Sequence, residues 1–176
     1  NQLGEVIKEN NGIPIMTKTG HSYIKSEISK SNAILGGEMS GHIFYNDNWY
    51  GFDDGIFAAL KLLEILSSKE STTHEVFNKF TQLFNTPEIK IAVEDDEKFE
   101  IVEQLKVKLK PEGYNSILID GLRLENKDCW GLVRASNTTP SLILRFEANS
   151  EKKLMEIQEL FQKTLLEIST NLKFLN

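Results

Sequence analysis

The sequence predicts an α/β domain followed by an α+β domain, and three observations support this fold class. Residues 1–84 alternate helical periodicity with short apolar runs, which is typical of a partial mixed α/β sheet domain. Residues 85–176 carry mostly strand patterns joined by turn signals, which indicates an antiparallel sheet with two helices. A chain of 176 residues with 40% hydrophobic residues is also large enough to form a core in one or two domains.

The elements of the first domain follow from apolar spacing and from helix start and stop signals. Asn10-Asn11-Gly12 ends one amphipathic helix, and Asp53 or Asp54 caps another. The predicted elements are helices at residues 2–10, 22–31, 53–66 and 76–84, and strands at 13–16, 33–35 and 43–45. We place the boundary between the domains near Asn85-Thr86-Pro87.

The second domain is predicted mainly from strand patterns. Asp120-Gly121 is a strong signal for a two-residue β-hairpin. The single cysteine, Cys129, falls in a predicted buried strand, which indicates a core residue and not a nucleophile. The predicted elements are strands at 89–93, 116–120, 122–125, 131–134 and 142–147, and helices at 96–109 and 150–166. They form one layer of helices on an antiparallel sheet.

One loop of the second domain has the composition of a phosphate site: Arg134-Ala135-Ser136-Asn137-Thr138-Thr139-Pro140. Phosphate is bound by a planar guanidinium together with hydroxyl, amide and backbone N–H donors. The side chains that supply such donors here are Arg134, Ser136, Asn137 and Thr138, and Arg145 adds positive charge nearby. The alternative is an ordinary connecting loop, which Ser, Asn, Thr and Pro also favour, but such a loop would not need the arginine.

A second polar loop, Gly36-Gly37-Glu38-Met39-Ser40-Gly41-His42, lies about a hundred residues earlier. The Glu38 carboxylate can accept hydrogen bonds from two vicinal sugar hydroxyls while Ser40 contacts a neighbouring oxygen, and the glycines allow backbone and ligand to approach closely. We therefore predict that this loop binds sugar hydroxyls. The alternative is a tight turn with a solvated glutamate.

The acidic run Glu94-Asp95-Asp96-Glu97 is a candidate for a hard cation, since carboxylates bind such ions. Its position before a predicted helix favours capping and interaction with the helix dipole instead. We therefore predict no metal site in this chain.

Composition and charge limit the possible partners and compartment. The net charge of −6 argues against general affinity for nucleic acid. No apolar run approaches the roughly 20 residues that cross a bilayer, so we expect no membrane partner. A single cysteine excludes an internal disulfide and fits a reducing, cytoplasmic location.

The two loops, together with Gly51-Phe52-Asp53-Asp54-Gly55 and Leu144-Arg145-Phe146-Glu147-Ala148, resemble the C-terminal part of the α-D-phosphohexomutases. The order and separation of the motifs fit, and the resemblance covers nearly the whole chain. It is closest to the phosphomannomutase/phosphoglucomutase group. It implies that residues 1–84 are most of a sugar-binding third domain, truncated at its N-terminus. Residues 85–176 would be a C-terminal phosphate-binding domain with a fold like that of the TATA-box-binding protein.

The resemblance implies a parent enzyme that interconverts hexose 6-phosphate and hexose 1-phosphate through a 1,6-bisphosphate. The phosphate would lie on the Arg134 loop and the ring hydroxyls on Glu38 and Ser40 of the same site. His21 would contact the ligand, and His42 would be a general acid or base. The family's phosphoserine and the Asp-rich loop that holds Mg²⁺ belong to N-terminal domains whose motifs do not occur in this sequence.

Because the chain starts at Asn1 within a helical pattern, we expect a fragment that is inactive alone, holds no cofactor itself and works with the missing domains. The alternative is a stand-alone phosphosugar-binding or anion-binding module without catalysis. A third possibility is a regulatory or scaffold fragment that does not bind hexose phosphates. A Ser-His-Asn-Pro loop and an Asp-Gly-Asp loop encoded upstream would favour the mutase.

Overall fold

The computed structural model describes residues 2–174, and its contacts divide the chain into two compact units, residues 1–80 and 81–176. The sequence-based boundary lay a few residues later, near Asn85. Phe84 and Asn85 belong to the second unit because they pair with its longest strand. Each unit has its own core, which fits the predicted order of an α/β region followed by an antiparallel sheet with two helices.

The described residues of the first unit form four helices and one β-hairpin. Its elements are α1 (Gln2–Glu9), α2 (His21–Ser31), β1 (Leu35–Gly37), β2 (Ile43–Tyr45), α3 (Gly55–Ser67) and α4 (Thr73–Phe77). The two strands pair antiparallel, with Gly36 opposite Phe44. The loop between them is the predicted sugar-binding loop, so the hairpin fixes both of its ends.

A small cluster of buried side chains holds α2 against the hairpin. Ile24, Ile28 and Phe44 are its buried members. Gly36 allows this close approach, because a Cβ added there would lie 2.8 Å from Ile24 Cγ2 and 2.9 Å from Ile28 Cδ1. The hairpin can therefore lie directly on α2, which brings the start of the helix next to the loop.

Helix α3 begins where the sequence predicted, but its apolar side chains are not buried. Asp54 caps it by accepting a hydrogen bond from the Phe57 amide at 2.9 Å. None of its thirteen residues is buried, and Ile56, Leu60 and Leu63 are 79%, 58% and 61% exposed. A helix this apolar is normally covered, whereas the described residues leave these side chains exposed.

In the second unit, the part of the chain that the structure describes forms a six-stranded antiparallel sheet with two helices. Its elements are β3 (Phe84–Asn85), β4 (Ile89–Ala92), α5 (Lys98–Lys108), β5 (Asn115–Ile117), β6 (Leu122–Glu125), β7 (Cys129–Ala135), β8 (Ser141–Ala148) and α6 (Glu151–Ile168). The strand order is β3-β8-β7-β6-β5, and β4 pairs with the other end of β8. The predicted fold class is confirmed, with β3 as an additional short strand.

The core of the second unit lies between the sheet and its two helices. Fully buried side chains come from both layers, including Leu105 of α5, Val133 of β7 and Phe161 of α6. Gly131 permits a close contact within this core, because a Cβ there would lie 2.7 Å from Phe161 and 2.8 Å from Phe146. Cys129 is 3% exposed, so its predicted place in the core is confirmed.

Four local predictions were wrong in detail. Residues 13–16 form no strand, and Ile13 is 86% exposed; the described residues offer no strand that pairs with this segment. Helix α4 ends at Phe77 instead of continuing to 84. Strand β1 lies two residues later than predicted. The Asp120-Gly121 hairpin has a longer loop, because Ile117 pairs with Arg123.

The acidic run before α5 differs from the prediction too. The helix begins after Glu97, whose side chain makes no cap hydrogen bond. Asp95 instead binds the ammonium group of Lys98 at 2.6 Å. Asp95 thus pairs with a buried lysine, and the predicted cap by Glu97 is absent, whereas the predicted interaction with the helix dipole stays a prediction.

Among residues 2–174, no helix combines the length and apolar character that a bilayer crossing requires.

Candidate substrate-binding loops

The first loop is a tight turn closed by backbone hydrogen bonds. The Glu38 amide donates to the His42 carbonyl at 2.9 Å, and the Gly41 amide donates to the Glu38 carbonyl at 3.0 Å. Gly41 has a φ of 90°, which an L side chain would adopt only with strain. The turn therefore presents Glu38, Ser40 and His42 from a defined backbone.

Glu38 is tied to the start of α2 through one carboxylate oxygen. Its Oε1 accepts a hydrogen bond from the Gly20 amide at 2.8 Å. Gly20 is the N-cap of α2 and supplies no side chain of its own, so Glu38 takes the place of a capping residue. With 11% of the side chain exposed, the position of Glu38 is well defined while Oε2 faces the two histidines.

His21 and His42 lie next to that oxygen, and Ser40 bonds His42. His42 Nδ1 lies 3.4 Å from Glu38 Oε2 and shares a 2.6 Å hydrogen bond with Ser40 Oγ. His21 Nε2 lies 3.9 Å from the same oxygen. The two imidazole rings meet edge to face with centroids 4.6 Å apart. Because α2 starts at His21 and rests on the hairpin, four residues that the sequence singled out are neighbours.

Asp53 also belongs to this group, although the sequence analysis considered it only as a helix cap. Its Oδ2 lies 3.6 Å from His21 Nε2 and 4.0 Å from His42 Nε2. A β-bridge between Phe44 and Asp53 places it there. The sequence feature that indicates this role is the pair Asp53-Asp54 before α3. A helix needs only one N-cap residue, which here is Asp54, so Asp53 can have a different role.

Arg134 lies near the end of β7, where the second loop begins. It pairs with Ile143 of β8 and is partly exposed. The turn at Gly121 lies against its backbone, because a Cβ at Gly121 would be 2.2 Å from the Val133 carbonyl oxygen and 2.7 Å from Arg134 Cα. Gly121 also has a φ of 79°. Glycine is therefore required here for two reasons: the backbone angle, and the lack of space for a Cβ.

Ser136 organises the loop from inside. It is 5% exposed, and its Oγ accepts hydrogen bonds from the Thr138 amide, the Thr139 amide and Thr139 Oγ1 at 3.3, 3.1 and 2.8 Å. Asn137 and Thr138 are exposed at the tip. The predicted donors thus differ in position, with Ser136 buried in the turn and Arg134, Asn137 and Thr138 accessible.

Lys98 was missed by the sequence analysis, although the structure connects it to this loop. Its ammonium group donates to the Thr139 carbonyl at 3.3 Å as well as to Asp95. The residue is 4% exposed, which is unusual for a lysine. The Val93 amide also donates to the Pro140 carbonyl, at 3.2 Å. Lys98 was not predicted because nothing in the sequence distinguishes a buried lysine at a helix start from a lysine on the surface.

Two further arginines lie on the same face of the sheet as Arg134. Arg145 is opposite Leu132, so it is a diagonal neighbour of Arg134. Arg123 bonds Glu125 at 2.9 Å and lies 4.0 Å from the Trp130 ring centroid. Trp130, opposite Glu147 on this face, is partly exposed and donates to Glu147 at 2.8 Å.

The described residues do not suit Mg²⁺. That ion prefers six oxygen ligands at short distance. The one described group of three or more candidate ligands consists of His21, Glu38 and His42, which offers two imidazoles and a single carboxylate. The prediction that this chain does not hold the Mg²⁺ of a mutase remains a prediction.

The fold and the two loops, in this order, define the class of α-D-phosphohexomutases. Residues 1–84 match the family domain described as phosphoglucomutase/phosphomannomutase, alpha/beta/alpha domain III, and residues 88–163 match the family's C-terminal domain. The chain belongs to the phosphoglucomutase/phosphomannomutase family.

Similar proteins come from several bacteria. The chain is 47% identical to a phosphomannomutase/phosphoglucomutase of Pseudomonas syringae pv. tomato and 48% identical to a phosphoglucomutase of Neisseria meningitidis serogroup A, with 97% of this chain covered in both cases. A solved phosphoglucomutase/phosphomannomutase family protein from Burkholderia thailandensis superimposes with a TM-score of 0.90 at 38% identity over 99% of this chain. The chain spans 37% of the length of each of these proteins.

Proposed function

We propose that the chain is the C-terminal part of a phosphomannomutase/phosphoglucomutase that interconverts hexose 6-phosphate and hexose 1-phosphate through a 1,6-bisphosphate. Membership of the family and the share of the relatives' length that the chain spans support this assignment. The observation that carries the binding role is the Arg134 loop, in which a buried serine shapes the turn and leaves a guanidinium and two polar side chains accessible.

In this proposal the Arg134 loop binds the phosphate of the substrate. Arg134 supplies a planar pair of N–H donors, and Asn137 and Thr138 supply an amide and a hydroxyl. Ser136 acts on the phosphate through the loop conformation that it fixes. None of these groups contacts the sugar ring. The loop can therefore bind either phosphate of the bisphosphate intermediate, which must bind in two orientations.

The Glu38 loop binds the ring hydroxyls. Glu38 Oε1 is taken by Gly20, so Oε2 is the oxygen that accepts from the sugar. Ser40 and His21 contact neighbouring hydroxyls, and recognition of hydroxyls common to glucose and mannose would allow both epimers to bind. His42, held between Ser40 and Glu38, is placed to give or take a proton at a substrate hydroxyl.

The remaining components belong to the parent enzyme. We propose that N-terminal domains of the same chain supply the phosphoserine and the Mg²⁺ site, and that they or the rest of the third domain cover the exposed side of α3. The Mg²⁺ ion supplies electrostatic stabilisation of the transferring phosphoryl group. A cytoplasmic location fits the single, buried and unpaired Cys129.

Replacement of Arg134 tests the proposal. In the parent enzyme, Arg134→Ala is expected to weaken hexose 6-phosphate binding by about 1.5–3 kcal/mol, or roughly 10- to 150-fold, because a charged hydrogen-bonding group is lost. Isothermal titration calorimetry measures the change. Lys152→Ala, which removes one exposed positive charge from α6, is the matched control and should bind normally. Equal affinity of the Arg134 variant and the wild type would refute the phosphate assignment.

A further inference from the structure

We propose that His21, His42 and Glu38, with Asp53 beside them, form a binding site for a divalent transition metal ion such as Zn²⁺. One ligand atom from each of the first three residues lies within 4.8 Å of the others. This inference concerns the cluster itself and does not depend on the proposed mutase function.

The distances within the cluster suit an ion at its centre. The contacts of His21 Nε2 with Glu38 Oε2 and Asp53 Oδ2 are 3.9 and 3.6 Å, and His42 Nε2 lies 4.0 Å from Asp53 Oδ2. These separations are longer than ordinary hydrogen bonds. Zn–N and Zn–O bonds of about 2.0–2.2 Å place tetrahedral ligands roughly 3.3–3.6 Å apart. These three contacts are therefore within a few tenths of an ångström of the separations that such an ion requires.

The orientation of His42 also favours coordination. Its Nδ1 is engaged by Ser40 Oγ at 2.6 Å, which leaves Nε2 for a metal. A hydrogen bond at the second ring nitrogen is the usual support for a metal-bound histidine. Glu38 is held in the same way, since Gly20 binds Oε1 and leaves Oε2. The supporting contacts that a metal site needs are thus present without the metal.

The chemistry of the ligands selects the class of ion. Imidazole nitrogens bind Zn²⁺, Ni²⁺ and Cu²⁺ well, whereas Mg²⁺ and Ca²⁺ prefer oxygen ligands. Two histidines with one or two carboxylates therefore favour a transition metal. The side chains of His21 and His42 are 50% and 43% exposed, so an ion from solution can reach them. A bound ion would occupy Glu38 Oε2 and His42 and would keep sugar hydroxyls away from them.

The test is a calorimetric titration of the untagged 176-residue chain with Zn²⁺, without any sugar. We expect one Zn²⁺ per chain, with binding weakened at least tenfold by His21→Ala and by His42→Ala, and about tenfold by Asp53→Asn. His74→Ala removes an exposed histidine outside the cluster and should bind Zn²⁺ as the wild type does. A Mg²⁺ titration should give no comparable binding at the same concentrations.

Two results would overturn the proposal: no saturable Zn²⁺ binding by the wild-type chain, or binding that both histidine variants retain. Circular dichroism of the variants checks that the fold is intact. If a variant does not fold, perturbation of the His21 and His42 ring resonances by Zn²⁺ in wild-type NMR spectra decides the question, with unmoved rings counting against the site. Because no hexose phosphate is present, neither result bears on the Arg134 experiment.

Discussion

The two carboxylate oxygens of Glu38 contact different partners, so this residue combines a structural role with a proposed binding role. Oε1 accepts from the start of α2, and Oε2 faces His21 and His42. Removal of the carboxylate would therefore disturb the helix as well as the proposed ligand contacts. Loss of function in a Glu38 variant is for this reason weaker evidence than loss in a variant of the exposed histidines.

Lys98 offers a sharper test at the residue scale. Lys98→Met keeps the length of the side chain but removes the hydrogen bond to the Thr139 carbonyl. We expect the affinity for hexose 6-phosphate, bound through the Arg134 loop as proposed, to fall by about 1 kcal/mol, roughly fivefold. A typical hydrogen bond contributes that much. Calorimetry measures it, and Lys106→Met on the same helix is the control, since Lys106 pairs only with Glu103 in the described contacts. Equal losses in both variants would mean that Lys98 has no specific role in the loop.

Tyr114 should make the stability of the second unit depend on alkaline pH. Burial, followed by its hydrogen bond with Cys129, raises the pKa of Tyr114 to about 12. The unfolded phenol titrates near pH 10, so the unfolded state loses its proton first and the contribution to stability declines as the pH rises from about 10 to 12. The free energy of unfolding of Tyr114→Phe, measured in urea, should decline less over this range. Tyr50→Phe, at a 77% exposed tyrosine, should behave like the wild type; the same slope in all three proteins would contradict the assignment.

At the scale of elements, the packing of α6 on β7 depends on Gly131. The rings of Phe146 and Phe161 meet edge to face with centroids 5.5 Å apart, directly over this glycine. Gly131→Ala inserts a methyl group at 2.7–2.9 Å from them, and we expect a loss of about 1–3 kcal/mol in the free energy of unfolding. Urea denaturation followed by circular dichroism measures the loss. Gly55→Ala, where an added Cβ meets nothing within 4 Å, is the control; no loss at Gly131 would show that the helix can move away at little cost.

Elements with strong local patterns were predictable, and those that depend on distant partners were not. Helix α3 was predicted from its apolar spacing and capping aspartate, and β7 and β8 from strand patterns. Residues 13–16 have the composition of a strand, yet a strand also needs a partner, which the described chain does not provide. The residues of both candidate loops were named from the sequence, whereas Asp53 and Lys98 join them only through tertiary contacts.

At the scale of the whole molecule, the two units differ in the size of their hydrophobic cores. The second unit has a continuous core between a six-stranded sheet and two helices, whereas the first buries only Ile24, Ile28 and Phe44 among its hydrophobic residues that the structure describes. The exposed apolar face of α3 belongs to the unit with the smaller core. We therefore expect the Arg134 loop to be well formed in this chain alone, and the Glu38 loop to depend more on the N-terminal domains that we propose.

The most direct test of the central claim is a pair of NMR titrations of the 176-residue chain, one with inorganic phosphate and one with glucose 6-phosphate. We predict that phosphate moves the backbone amide resonances of residues 134–139 and leaves those of Gly20 and residues 38–42 unchanged, because in the proposed function only the Arg134 loop binds the anion. Glucose 6-phosphate should move both sets, since the proposal assigns its ring hydroxyls to the Glu38 loop. Unchanged resonances at 134–139 in both titrations, or identical shifts with the two ligands, would contradict the account.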